Sequence, residues 1–314
     1  MNSSVVPNPT TPMAYLLPEQ ANLQQLTGYI YATSLGALLW DWLMSMPDEY
    51  RMLSMGGISK HAIVYLCARL FTVGFCLSAT IMQVAPVRNC QALWYIRAAF
   101  EILAMNTNNV LFFIRARAVY GKSRGSTLFF GFWWFVVFGT TLCALFAVQT
   151  DHLGPTNMCR YTHIHRWLGS INFSNAVNST LIFLAISYRI ASQSIGGAGM
   201  CSTIRSFFRG DGTSRAVKIL QQYGQLCYLV TITMNIAQSV TFFLSTYRPV
   251  LITASFALEN VMTCRVHRAV VLGLFIDGRQ TTQFALTTFV PDVSDEDRVL
   301  RKHKLTDSLV QTVT

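Results

Sequence analysis

Apolar residues fill seven long blocks of this chain, and the polar connections between them hold nearly all of its Lys and Arg. The blocks cover residues 29–46, 63–84, 93–114, 128–148, 168–190, 220–244 and 250–264. Roughly 20 mostly apolar residues in an α-helix cross the ~30 Å hydrocarbon layer of a bilayer. Lipid admits only structures that satisfy their own backbone polar groups, which means helices or closed barrels, and the blocks lack the strict alternation of barrel strands. The pattern predicts an all-α polytopic membrane protein, a bundle of seven transmembrane helices. Residues 1–26 form a polar N-terminal tail ahead of the first span, and the helices of the bundle run on to residue 273. Residues 274–314, where Asp295-Glu296-Asp297 abuts Arg298 and Arg301-Lys302-His303-Lys304, have too little apolar content for a core and are expected to be disordered.

Composition fits this class. The 314 residues are 52% hydrophobic and 12% charged, about half the charged content of soluble domains. A formal net charge of +10 raises the question of nucleic acid, and the placement of the charges answers it. Arg88, Arg160, Arg166 and Arg248 lie in the connections on one side. Arg51, Lys60, Arg115, Arg117, Lys122, Arg124, Arg189, Arg205, Arg209, Arg215, Lys218, Arg265, Arg268 and Arg279 lie on the other. Lys and Arg gather in short cytoplasmic loops, so the N-terminus is expected outside and the C-terminus in the cytoplasm. The partner implied is the bilayer of the plasma membrane or another secretory-pathway membrane; no nucleic acid is expected. The segment Arg205-Ser206-Phe207-Phe208-Arg209 suits a solvated basic loop or contact with the anionic inner leaflet.

Cysteines add one tether. Cys67, Cys76, Cys143, Cys227 and Cys264 fall within or at the ends of spans, where a thiol packs as a small apolar group, and Cys201 lies in a cytoplasmic loop. Cys90 and Cys159 are left on the oxidising side, where a bridge would tie the longest external loop to the top of the third helix. Two free thiols are the alternative; a bridge requires Cα atoms within ~7 Å. His152, His163 and His165 share that loop with one acid, Asp151, too few ligands to predict a metal site. No cofactor is expected.

Candidate chemistry rests on ionisable residues inside the spans, where a charge costs roughly 2.5–3.5 kcal/mol on insertion scales and turns to the bundle interior. These are Asp41, Arg69, Arg97, Glu101 and Glu259. Asp41 and Arg69 lie at similar depth near the inner ends of spans one and two, which predicts an ion pair between the helices. Arg97 and Glu101 are i,i+4 neighbours and are expected to pair along one face of the third helix. Asn108 falls on that face too. Asn172, Asn175, Asn178, Asn235 and Gln238 suit bonds between helices. Glu259, at mid-depth in the last span with no basic partner in view, is the leading candidate for a ligand or proton contact, with Glu101 and Asn108 beside it. Arg115 and Arg117 form the basic cytoplasmic end of helix three.

The stretch 31–71 holds Leu35-Gly36-Ala37-Leu38-Leu39-Trp40-Asp41-Trp42-Leu43, then Pro47-Asp48-Glu49-Tyr50, then Leu66-Cys67-Ala68-Arg69-Leu70. It resembles the N-terminal domain of unknown function in integral membrane proteins of mushroom-forming fungi, with Asp41, Glu49 and Arg69 at the motif positions. Leu70 departs from the family's usual aromatic. Arg115-Ala116-Arg117-Ala118-Val119-Tyr120-Gly121 and Val261-Met262-Thr263-Cys264-Arg265-Val266 look like the ends of the family's third and seventh helices. The resemblance assigns 27–75 to that domain and 76–273 to the remaining helices. It implies seven helices and a membrane location, and no activity.

Three functions compete. A receptor-like sensor would take an unidentified small-molecule ligand outside and a signalling partner in the cytoplasm. A carrier or channel would use Arg97, Glu101 and Glu259 as a polar path. An intramembrane enzyme ranks last, for want of a nucleophile–base set, so the chain is expected not to be an enzyme. Light sensing through a retinal Schiff base is excluded, because no Lys lies within a span.

Overall fold

The computed structural model describes residues 15–56, 59–121, 123–146, 148–153, 156–193, 215–243 and 250–289. The 205–209 basic segment, Cys201, and residues 1–14 and 290–314 of the two tails lie outside them. The described residues are mostly helical: α1 (Pro18–Gly56), α2 (Lys60–Val84), α3 (Cys90–Val119), α4 (Arg124–Leu142), α5 (Gly169–Gln193), α6 (Arg215–Phe243) and α7 (Ile252–Phe289). Each apolar block falls largely on one helix, the fourth running past α4 through the turn Cys143–Phe146 to Val148 of a strand. Among the described residues two helices, Lys60–Val84 and Arg124–Phe146, are long and apolar enough to cross a membrane, the second including the 3-10 turn that extends α4.

Local chemistry sets several boundaries. Pro18 opens α1 at the position where a missing N–H costs nothing. Ser59, Asn89 and Ser123 cap α2, α3 and α4, their side chains accepting from the backbone N–H groups of Ala62, Ala92 and Ser126. Gly121 takes φ of 61° just after α3, a left-handed conformation that suits glycine.

Three features depart from the sequence reading. First, α1 starts inside the expected tail and continues through Pro47 to Gly56. Second, α7 runs on to Phe289, into the segment expected to be disordered; the next proline is Pro291, and residues 274–289 include helix formers such as Leu274, Ala285 and Leu286. Third, the connection between α4 and α5 holds an antiparallel hairpin of β1 (Val148–His152) and β2 (Cys159–Ile164). Val148 pairs with Ile164 and His152 with Cys159, with an irregularity between Gln149 and Thr150. The alternating Gln149-Thr150-Asp151 and Arg160-Tyr161-Thr162 stretches are too short to stand out beside seven apolar blocks.

The chain divides at Val270 into two units. In the first, up to Ala269, α2 packs most extensively on α3, and α5 on α6. The central core joins Leu38, Phe75, Ala104, Met105, Val137 and Phe256. A second cluster under the hairpin joins Met82, Cys90, Trp94, Ala98, Val148 and Cys159. The second unit, Val270–Thr314, contributes the final turns of α7. The outside of the first unit is apolar: Leu128, Phe132 and Phe135 on α4 and Trp40, Leu43 and Met44 on α1 are all at least 61% exposed. Its inside is polar, with Arg69, Asn108, Asn109, Asn178 and Asn260 at 1% exposure or less.

Candidate functional site

Three polar levels lie along the bundle. At the end where α3 begins, Cys90 is disulfide-bonded to Cys159 of β2, with Cα atoms 5.5 Å apart. Val87 N–H donates to Asn157 O at 2.7 Å, and the Gln91 side-chain oxygen accepts from Thr150 N–H and Oγ1 at 3.1 and 3.0 Å. These bonds seat the hairpin over the bundle end. Beneath it is a cavity of about 40 Å³. Trp94, Arg97 and Glu101 of α3 line it with Val148 and Tyr161 of the hairpin, and Asn172, Phe242 and Ile252 close its far wall.

One turn separates Arg97 from Glu101, yet the ion pair expected within α3 does not form. Arg97 Nη1 donates instead to the Tyr161 hydroxyl. Its guanidinium carbon lies 5.4 Å from the Phe75 ring centroid, 5.1 Å from Trp94 and 5.8 Å from Tyr161. A buried guanidinium gains from aromatic faces once water is removed, and those contacts draw Arg97 to the hairpin. Tyr161 belongs to the hairpin; burial raises its hydroxyl pKa above the ordinary tyrosine value, against the lowering effect of Arg97. Glu101 is 5% exposed and hydrogen-bonds to no described residue. Its carboxylate opens on the cavity.

Below lies a layer of amides. Asn109 Nδ2 donates to Asn175 Oδ1 at 2.9 Å, and Asn178 Nδ2 to Asn109 Oδ1 at 2.8 Å. Gln238 Nε2 donates to Asn172 Oδ1 at 2.9 Å, linking α6 to α5. Asn260 Nδ2 donates to Asn108 Oδ1 at 2.9 Å and to Ala68 O at 3.1 Å, linking α7 to α3 and α2. Glu259 belongs here, away from the cavity lining. Its Oε2 accepts from Asn175 Nδ2 at 3.1 Å and Asn235 Nδ2 at 3.4 Å, while among the described residues no donor reaches Oε1. Asn108 is likewise committed within the layer. Of the three candidate ligand contacts, the structure brings Glu101 alone to the cavity.

The third level is ionic and larger than the predicted pair. Arg69 Nη1 meets Asp41 Oδ2 at 3.1 Å, and Arg265 Nη2 meets Asp41 Oδ1 at 2.7 Å. Glu49 lies 3.4 Å from Arg69 Nε and 3.6 Å from Arg268 Nη1. The Tyr65 hydroxyl joins the halves: it donates to Glu49 Oε1 at 2.6 Å and accepts from Arg268 Nη1 at 2.8 Å. Trp42 Nε1 donates to the other Glu49 oxygen at 3.2 Å. Two carboxylates thus face three guanidinium groups, with Arg69 fully buried and the Arg265 side chain 44% exposed. Arg265 and Arg268, expected in a cytoplasmic connection, stand three residues apart on α7, a one-face spacing that brings both to this network, Arg268 buried and Arg265 at its edge. Arg115 donates to Tyr228 Oη at 2.8 Å and to Thr263 O at 2.6 Å, while Arg117 is exposed.

Among the described residues no group of three or more His, Cys, Asp or Glu is placed to hold a metal ion. His152 of the hairpin has Nε2 3.1 Å from Arg88 O. Compared with family models and with curated proteins, the chain matches none.

Proposed function

We propose that this chain is a seven-helix integral membrane protein that senses a small molecule at its hairpin end and signals through its opposite end. The apolar exterior and polar interior support the membrane setting, since a water-soluble bundle has the reverse pattern. Helix α4 carries the point furthest. With the turn that extends it, it is long and apolar enough for a span, yet only 22% of its apolar stretch is buried, which supports a lipid-facing helix over a covered core helix. The Asp41, Glu49 and Arg69 positions behind the fungal-family resemblance sit together in the ionic level, which suits membership of that family.

The observation that favours a receptor over a carrier is the stacking of levels. A covered cavity at the hairpin end is followed by amides bonded to one another and then by a cross-linked ionic plug. A carrier needs a wet path past this point, and Glu259 and Asn108 are engaged with neighbouring side chains. The orientation inferred from Lys and Arg puts the hairpin outside and the plug at the cytoplasmic face. Two measurements test this. Tags at the two termini are expected on opposite sides of sealed vesicles, and proteoliposomes are expected to show no solute flux. Termini on one side defeat the seven-span reading; flux through the reconstituted protein favours the carrier.

A further inference from the structure

We propose that the cavity beneath the hairpin binds the uncharged carboxamide group of a small molecule, its N–H turned toward Glu101 and its C=O toward Arg97. The inference rests on the receptor reading and names the chemistry that its ligand must carry. Arg97 and Glu101 stand one turn apart on α3 and both line the cavity, yet no ion pair joins them. They are 2% and 5% exposed. Arg97 Nη1 is taken by the Tyr161 hydroxyl, while Nε is buried and reaches no acceptor among the described residues. Glu101 accepts from no described residue, and its oxygens are not enclosed as that Nε is. One wall therefore carries a donor group and an acceptor group, and neither is saturated.

Charge and size narrow the class. Arginine keeps its charge at any working pH, and the carboxylate one turn away balances it. A cation drawn to Glu101 meets Arg97, and an anion drawn to Arg97 meets Glu101. Either ion leaves one surplus charge out of water, which is costly. An uncharged dipole laid between the two gains from both. The cavity of about 40 Å³ has room for a few water molecules or one small polar group, too little for both ends of a zwitterion. A carboxamide holds its donor and acceptor on separate atoms, which suits partners a helical turn apart, whereas a hydroxyl offers both at one oxygen. The walls Trp94, Phe242 and Ile252 are apolar and suit the carbon adjoining the amide.

The test uses the full chain in lipid nanodiscs and three probes of one shape: propionamide, propionate and propionamidinium. They differ only in charge and in which head atoms donate or accept. Thermal stabilisation by each is measured over a concentration series on wild type, Glu101→Gln and Arg97→Gln. On wild type, propionamide is expected to bind about tenfold or more tighter than either ion. The preference is expected to pass to propionate in Glu101→Gln and to propionamidinium in Arg97→Gln, each variant leaving one charge unbalanced. The ranking on wild type decides the matter even where a variant fails to fold. Preference of wild type for either ion overturns the proposal, as does an unchanged ranking in a folded variant. No stabilisation by any probe leaves the cavity to water and also overturns it. Termini on one side of sealed vesicles defeat the receptor reading while the probe ranking still decides the site; no binding with termini on opposite sides defeats the site alone.

Discussion

Arg69 of α2 reaches Asp41 of α1 at 3.1 Å across 28 residues of sequence, and the same carboxylate holds Arg265 of α7 on its other oxygen. One acid thereby fixes three helices at the end of the bundle furthest from the hairpin. Burying ions is costly, and a buried pair is weak evidence for net stability. Its value here is positional: Asp41 is correctly bonded only when α1, α2 and α7 are in register.

Removing one partner exposes that cost. Arg69→Met leaves Asp41 and Glu49 short of a fully buried donor and is expected to lower stability by about 3–5 kcal/mol. Arg265→Met, at the half-exposed edge of the same network, is expected to cost under about 1 kcal/mol. Denaturant unfolding in detergent measures both; equal losses would contradict the burial difference.

The bridge closes a loop with a sequence separation of 69 between Cys90 and Cys159. Chain-entropy arguments put such a constraint at about 4 kcal/mol. Cys90→Ser with Cys159→Ser is expected to lower the unfolding temperature and to make the hairpin sensitive to protease. A hairpin as resistant in the double variant as in wild type would show that Val87, Gln91 and Thr150 hold it unaided.

Helix spacing gives a third expectation. A Cβ placed on Gly74 would meet the Phe100 ring at 2.6 Å, whereas Gly36, Gly131 and Gly139 have nothing within 4 Å. Gly74→Ala is expected to cost about 1–3 kcal/mol through overpacking at the α2–α3 contact, with Phe100→Leu restoring part of it. Alanine at the other three is expected to add roughly 0.5–1 kcal/mol each. Stabilities of the four single variants and the Gly74–Phe100 double variant settle the ranking.

The hairpin tyrosine supplies a pH dependence. Burial raises the Tyr161 hydroxyl pKa, with Arg97 opposing, so the folded state holds this proton where an unfolded tyrosine, near 10, releases it. The associated stability is present below about pH 10 and declines as pH rises beyond it. Tyr161→Phe should therefore leave the phenolate absorbance of the folded protein at about pH 11 unchanged. Loss of one phenolate in the variant would show that Tyr161 titrates freely.

Glu259→Gln keeps an acceptor for Asn175 or Asn235 and removes a carboxylate whose second oxygen meets no donor. It is expected to be neutral or stabilising, within about 1 kcal/mol, as read by denaturant unfolding in detergent. A loss above about 2 kcal/mol would show that the charged carboxylate itself holds α5 and α6 to α7.

What the sequence made legible was the helical layout and the residues that matter, more than their partners. Seven apolar blocks marked seven helices because apolar runs of that length have few other solutions. Asp41 with Arg69 followed from equal depth along neighbouring helices, and Cys90 with Cys159 from being the two cysteines left on one side. Arg97 with Glu101 failed because i,i+4 spacing makes contact available without making it the best one: Tyr161, 64 residues on, competes with a hydroxyl and a ring. The hairpin that carries Tyr161 was itself invisible to a search for long apolar runs. Glu49 stood out only as a motif position beside Asp41 and Arg69, and its network with Tyr65 and Arg268 was missed because only the folded chain stacks α1, α2 and α7.

The half-cystine at residue 159 is welded to the first residue of α3, the helix that also presents Arg97 and Glu101. The hairpin over the cavity and the helix that lines it therefore belong to one covalently joined piece. Any piston stroke or roll of that helix must carry its own canopy along. The covalent part of that join forms only by oxidation, which ties it to compartments where thiols are converted to bridges.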